Sequence, residues 1–156
     1  MISTREFNFN DEADCRFAYD ILQDRYAHPE TLIQGITPIN VPSYAEHKRN
    51  IETYFSVLRI AMIDVFNTGL CYIDKRNCVG FFYNRQALRH ALKATKLKGM
   101  DISKFYLTDT LSRAPKNAVL HARVSSKNKL ANKTASRLMQ LVSHSSTYIT
   151  YMYVNK

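Results

Sequence analysis

Long apolar runs are missing from this sequence. No segment approaches the roughly 20 residues that a membrane-spanning helix needs, and the opening stretch MISTREFNFNDEAD has neither the basic start nor the apolar core of a secretory signal. A cytoplasmic protein that makes no membrane contact is the expectation. Glycine and proline are scarce, at four each in 156 residues, which argues against a disordered or low-complexity chain. The three cysteines, Cys15, Cys71 and Cys78, are odd in number and lack C-x-x-C spacing. They fit buried thiols better than a disulfide framework or a metal site. Acidic residues are nearly absent from the C-terminal half, where Asp101 and Asp109 stand alone, so the clustered carboxylates of a metal-dependent nuclease are not available there. No repeat, linker or low-complexity tract divides the chain, and one domain spanning 1–156 is expected.

What the sequence does contain is a core and an uneven charge. Hydrophobic residues make up 46% of the chain, enough for a buried interior at this length. The net charge of +9 hides two opposite halves. Residues 1–84 carry 8 basic against 11 acidic side chains, and 85–156 carry 14 against 2, or about −3 and +12. A polyanion or a phosphate-bearing cofactor would be drawn to the second half.

The segment 116–154 organises the rest. It reads as a strand from Asn117 to Val124, a basic turn Ser125–Lys129, a helix to about His144, and a strand from Thr147 to Val154. Leu130, Ala131, Ala135, Leu138, Leu141 and Val142 recur at helical spacing. The pattern predicts a right-handed βαβ unit whose turn, with Lys127, Lys129 and Lys133, would suit a phosphate.

Upstream, Ile2–Phe9 alternates weakly as a short edge strand, and Asp11 caps a helix through about Tyr26 that His28-Pro29 ends. Glu30–Pro42 reads as loop. Ser43-Tyr-Ala-Glu46 is a capping box. The helix it opens continues by spacing through Ile51, Phe55, Leu58, Met62 and Val65 to a stop at Gly69, although Val57–Phe66 is apolar enough to be a buried strand instead. Leu70–Asp74 and Cys78–Tyr83 form a hairpin around Lys75–Asn77. Asn84 caps a helix to Lys98 that Gly99 stops, and Asp101–Ser112 is a further helical segment. A basic helical insertion therefore occupies about 84–114.

This order resembles the GNAT superfamily of N-acetyltransferases. Arg5-Glu-Phe-Asn-Phe-Asn-Asp-Glu-Ala-Asp14 is similar to that family's first strand and helix. His28-Pro-Glu-Thr31 followed by Ser43-Tyr-Ala-Glu-His-Lys48 resembles the lead into its second helix, in the branch acting on amino sugars and protein N-termini. Tyr72-Ile-Asp-Lys-Arg-Asn-Cys-Val-Gly-Phe81 looks like its second and third strands. The resemblance implies a mixed α/β (α+β) domain with a central, mostly antiparallel sheet flanked by helices. On this alignment Asn117–Val124 is strand four, and the chain ends where strands six and seven should follow.

The resemblance also implies a function: transfer of an acyl group from acetyl-CoA to an amine. The family holds the pyrophosphate on an Arg/Gln-x-x-Gly-x-Gly/Ala loop after strand four. Aligning on Val124 places Lys129, Asn132 and Thr134 at those positions, with Lys133 beside them. His121 is then the implied base, and Tyr151 or Tyr153 the implied acid. Each also has a structural reading: an inward histidine as a hydrogen-bonded core residue, alternating tyrosines as packing pairs. His47 reads as a surface residue of the first helical turn. The rival function is a non-enzymatic DNA- or RNA-binding protein, with Arg85, Arg89, Lys93 and Lys96 along one helix face and several tyrosines available for stacking. No helix-turn-helix, zinc-finger or RNP signature accompanies that face.

Overall fold

The computed structural model describes residues 1–27 and 41–156. In chain order these form β1 (Ile2–Glu6), α1 (Glu12–Ala27), α2 (Tyr44–Tyr54), β2 (Phe55–Ile63), β3 (Phe66–Asp74) and β4 (Val79–Tyr83). They continue as α3 (Arg85–Thr95), α4 (Gly99–Ser112), β5 (Val119–Ser125), α5 (Lys129–Leu138), β6 (Gln140–His144) and β7 (Tyr148–Val154). The mixed α/β architecture and the antiparallel pairing agree with the sequence reading. The segment expected to be irregular at 30–42 lies, apart from Val41 and Pro42, outside the described residues.

Strands β1-β2-β3-β4 make one antiparallel sheet with helices on both faces. Alternation along β2 sends Leu58 and Ile60 to one side, where they pack with Ala18 and Ile21 of α1 and Ile51 of α2. It sends Ala61 and Ile63 to the other, against Ala91 of α3 and Ile102 and Tyr106 of α4. Ile60, Ile63 and Ile73 are completely buried, and each contributes about 1.5–3 kcal/mol. Burial on both faces explains why Val57–Ile63 is apolar without a clean period. Strands β5-β7-β6 make a second antiparallel sheet, covered by α5 through Leu120, Ala122, Ala135, Met139 and Tyr151. That cluster also contains Ile73 and Val79 of the first sheet, so the two sheets share one core.

Local chemistry sets the element ends. The Ser43 hydroxyl accepts from the Glu46 amide at 3.2 Å, and Asn84 and Asn128 cap α3 and α5 by accepting from Ala87 N (2.9 Å) and Ala131 N (3.1 Å). The hairpin turn is held by Asp74, whose Oδ1 accepts from the Arg76 and Cys78 amides, both at 2.9 Å.

Of the two readings open for 57–66, the buried strand is the one observed: the helix opened at Ser43 ends at Tyr54, and the apolar tail is strand β2; Val65 sits at the following turn, beside Asp64 at φ 52°. Three expectations are corrected. Gly99 does not stop α3: Lys96 does so in the left-handed region at φ 58°, and Gly99 opens α4. Helix α5 ends at Leu138 rather than near His144, and 140–144 is strand β6. The βαβ unit is therefore absent, because β5 and β7 are antiparallel neighbours with β6 beyond. Leu141 and Val142 carry on the helical spacing but are 56% and 53% exposed. The pairing demand of β7's second edge outweighed their helical pattern.

Candidate functional site

Strands β4 and β5 run parallel at the meeting of the two sheets and then part. Among the described residues the ladder between them is the bridge of Cys78 with His121, where the His121 amide donates to Asn77 O at 2.9 Å. Beyond it the strands diverge around a cleft of about 540 Å³. Val79, Gly80, Phe81 and Tyr83 line one wall, and Ala122, Val124 and Ser125 the other. Tyr106, Leu107 and Thr110 of α4 and Thr134 and Ala135 of α5 also line it. Each parting strand turns one edge of N–H and C=O groups toward the gap.

Two helix N-termini open onto the cleft. Arg85 in the first turn of α3 lines it, and so do Lys127, Asn128 and Lys129 at the start of α5. Each N-cap asparagine satisfies one amide, leaving the rest of the first turn as donors for an anion. Lys127 and Lys129 are exposed. On the opposite side Asp24 and Arg25, near the C-terminal end of α1, complete the lining, and the Arg25 guanidinium lies 4.1 Å above the Phe82 ring.

The cleft also holds hydroxyls. Tyr83 Oη and Ser103 Oγ are hydrogen-bonded at 3.0 Å. Burial pushes the Tyr83 phenol up to about 12, against a smaller opposing effect of the Ser103 bond, so it keeps its proton at neutral pH. Tyr106 donates to Met62 O at 2.7 Å and is committed to the core. A side chain at Gly80 would overlap the Tyr72 phenol, which lies across this residue.

The residues singled out from sequence divide unequally. Val124, Lys129 and Thr134 line the cleft, as does Arg85. Asn132 does not; its Nδ2 donates to Ser125 O and Asn128 O, both at 2.9 Å, tying α5 to the end of β5. Lys133 is exposed on α5 outside the lining. His121 alternates with Ala122 and Val124 and so presents to the opposite face of the strand. Tyr151 is buried, and its hydroxyl donates to Asn132 Oδ1 at 2.8 Å. Tyr153 packs against the shared core. None of these three lines the cleft. Arg89, Lys93 and Lys96 continue outward from Arg85 at exposed positions. Ser103 and Arg25 had no sequence signal beyond the helices that carry them, and Tyr83 only that of a tyrosine available for stacking. Asn84 had one, as an N-cap, whereas Asn128 falls inside the turn expected at Ser125–Lys129.

No family model and no curated protein matches the sequence. Solved structures do match the fold. RimL, the ribosomal L7/L12 alpha-N-protein acetyltransferase in complex with coenzyme A, superposes with a TM-score of 0.61 at 11% identity, over 98% of this chain and 93% of that one. This is a GNAT fold. Mycobacterium smegmatis RimJ, in complex with CoA-disulfide, gives 0.61 at 11% identity over 98% and 81% of the two chains. Aminoglycoside acetyltransferase AAC(6')-Ib, in complex with coenzyme A, gives 0.57 at 15% over 97% and 93%.

The GNAT fold corrects the strand count. With β2 present, Asn117–Val124 belongs to the fifth strand, not the fourth, and β6 and β7 complete the seven. The fourth strand is β4, and Asn84 alone joins it to α3. The phosphate loop implied by the resemblance therefore has no room after strand four. The residues aligned on Val124 instead begin α5, on the other wall of the same cleft.

Proposed function

We propose that this protein transfers an acyl group from acetyl-CoA to an amine, with the β4–β5 cleft as the active site. One observation carries the reading: within a GNAT fold, two helix N-termini with Arg85, Lys127 and Lys129 converge on a cleft between two parting strands. The residues present fit acetyl-CoA without a glycine loop. Orphan amides of α3 and α5, reinforced by the three cations, suit the phosphates. The amide-bearing arm suits the open strand edges. When bound, acetyl-CoA supplies an activated thioester.

The chain's own part is mainly positioning. Gly80 keeps the β4 wall flat, Val79 and Ala122 keep it apolar, and holding thioester and amine together removes much of the entropic barrier. Tyr83, protonated and paired with Ser103, is the proton donor suited to a leaving thiolate. It takes the place of Tyr151 and Tyr153, whose side chains serve the core. His121 is not among the residues that line the cleft, and proton removal from the amine is assigned to water within the site. The acceptor is not set by the fold, since RimL is described as acting on a ribosomal protein and AAC(6')-Ib as an aminoglycoside enzyme. The nucleic-acid alternative gains no observation from the structure.

Calorimetric titration with acetyl-CoA is the test. Saturable binding that weakens at least tenfold in Lys129→Glu, with thermal stability unchanged, supports the reading. Absence of binding by the wild-type protein would overturn it.

A further inference from the structure

Behind the β4 wall lies a second cavity, of about 40 Å³, between α1, α2 and the first sheet. Ile21, Leu22, Ile51, Leu58, Leu70 and Phe82 make it almost wholly carbon. His47 of α2 also lines it, and its Nε2 is a buried nitrogen with no hydrogen-bond partner among the described residues. A buried polar atom without a partner is costly, and each instance calls for an explanation.

The cavity adjoins the cleft. Arg25 lines both, and Tyr72, which lines the cavity, rests its phenol against Gly80 of the cleft wall. Its size is informative. A cavity of about 150 Å³ holds benzene, so one of this volume takes roughly two heavy atoms. Its chemistry is equally narrow. An ammonium or carboxylate could not be desolvated in a carbon-walled hole, whereas a hydroxyl both donates and accepts and can satisfy Nε2 in either imidazole tautomer.

We propose that this cavity is the acceptor's specificity pocket, taking a neutral hydroxymethyl-sized group whose hydroxyl hydrogen-bonds Nε2 of His47. The assignment rests on the acyl-transfer reading of the adjoining cleft, and it names the acceptor class as an amine carrying a terminal hydroxyl. Burial, which pushes the His47 imidazole down to about 4, keeps it neutral for this role at physiological pH.

The probes are linear amino alcohols of two to six carbons, each paired with the alkylamine in which a methyl replaces the hydroxyl. Binding is read from the ring resonances of ¹⁵N-histidine-labelled protein, and transfer from acetyl-CoA turnover. The expected result is that at least one amino alcohol moves the His47 resonances saturably and is acetylated about tenfold faster, in kcat/KM, than its alkylamine, one hydrogen bond's worth of preference. In His47→Leu the ratio should fall to near one. Should that variant fail to fold, Ala18→Val, which fills the cavity from α1, should abolish the preference instead. Equal rates for every pair, or His47 resonances unmoved at saturation, would overturn the pocket even if amines are acetylated. Failure of all turnover with His47 still responding would overturn the enzyme reading and leave the pocket standing as a hydroxyl-binding site.

Discussion

Asp14 is the side chain on which the N-terminal region most depends. It is 2% exposed, accepts from Arg5 Nη1 and Nη2 at 3.0 and 2.8 Å, and accepts from the Asn8 amide at 2.9 Å. Burial alone would raise its pKa, but the guanidinium and the amide outweigh burial and hold it below the usual carboxylate range. Asp14→Ala should cost about 2–3 kcal/mol, because Arg5 loses a bidentate partner; urea denaturation reads this directly. His47 has the opposite character. Its folded pKa lies below its unfolded value, so stability is fully present above about 6.5 and falls as pH drops toward 4, where the unfolded chain takes a proton that the folded one refuses. Discounted for partial exposure, the loss between pH 7 and 5 should be about 1 kcal/mol, and it should vanish in His47→Gln. The sequence places His47 in a first helical turn, where a surface position is the natural reading. Only the packing of α1 on α2, which brings Tyr19 within 5.3 Å of its ring, turns it inward.

Elements were legible in the sequence where a local signal marked them. Asn84, Ser43 and the hairpin at 74–78 fix their own geometry through side-chain bonds to nearby amides, so spacing and residue type were enough. The end of α5 was not legible in this way, and β2 only as one of two readings, since both depend on what lies beside them: the free edge of β7 in the first case, helices on two faces in the second. Counting the strands without β2 displaced every later strand by one, and with it the implied phosphate loop. Two element-scale predictions follow from the caps and the wall. Asn128→Ala should destabilise by about 1 kcal/mol and weaken acetyl-CoA binding, the first read by thermal melting and the second by calorimetry. Gly80→Ala should displace Tyr72 from the cleft wall. It should also lower stability by about 1–3 kcal/mol, the usual cost of overpacking, measurable in urea.

Over the whole molecule, charge is sorted by the cleft. Helices α3 and α5 carry Arg85, Arg89, Lys93, Lys129, Lys133 and Arg137 without an acid, whereas α1 carries four acids. Acetyl-CoA, a polyanion, should therefore bind more weakly as salt rises, with a slope that Lys127→Gln and Lys129→Gln together reduce. An unchanged slope would place the phosphates elsewhere. The mixed α/β class could be read from the sequence because β-branched runs and caps are local features; the antiparallel sheet came from the family resemblance, whereas the residue pattern at 116–154 pointed to a parallel βαβ unit. The cleft could not, because it arises from two strands about 40 residues apart that touch at Cys78 and His121 and then separate.

That one bridge also sets a rhythm for exchange with solvent. Amides of β4 and β5 that face their own sheets are locked in ladders, while those facing the gap have no ladder partner among the described residues. In the free protein, deuterium uptake along Val79–Tyr83 and Ala122–Ser125 should alternate, one residue slow and the next fast. An extended occupant that takes up the outward bonds would erase the alternation, so a binding event could be seen in the backbone before any product is measured.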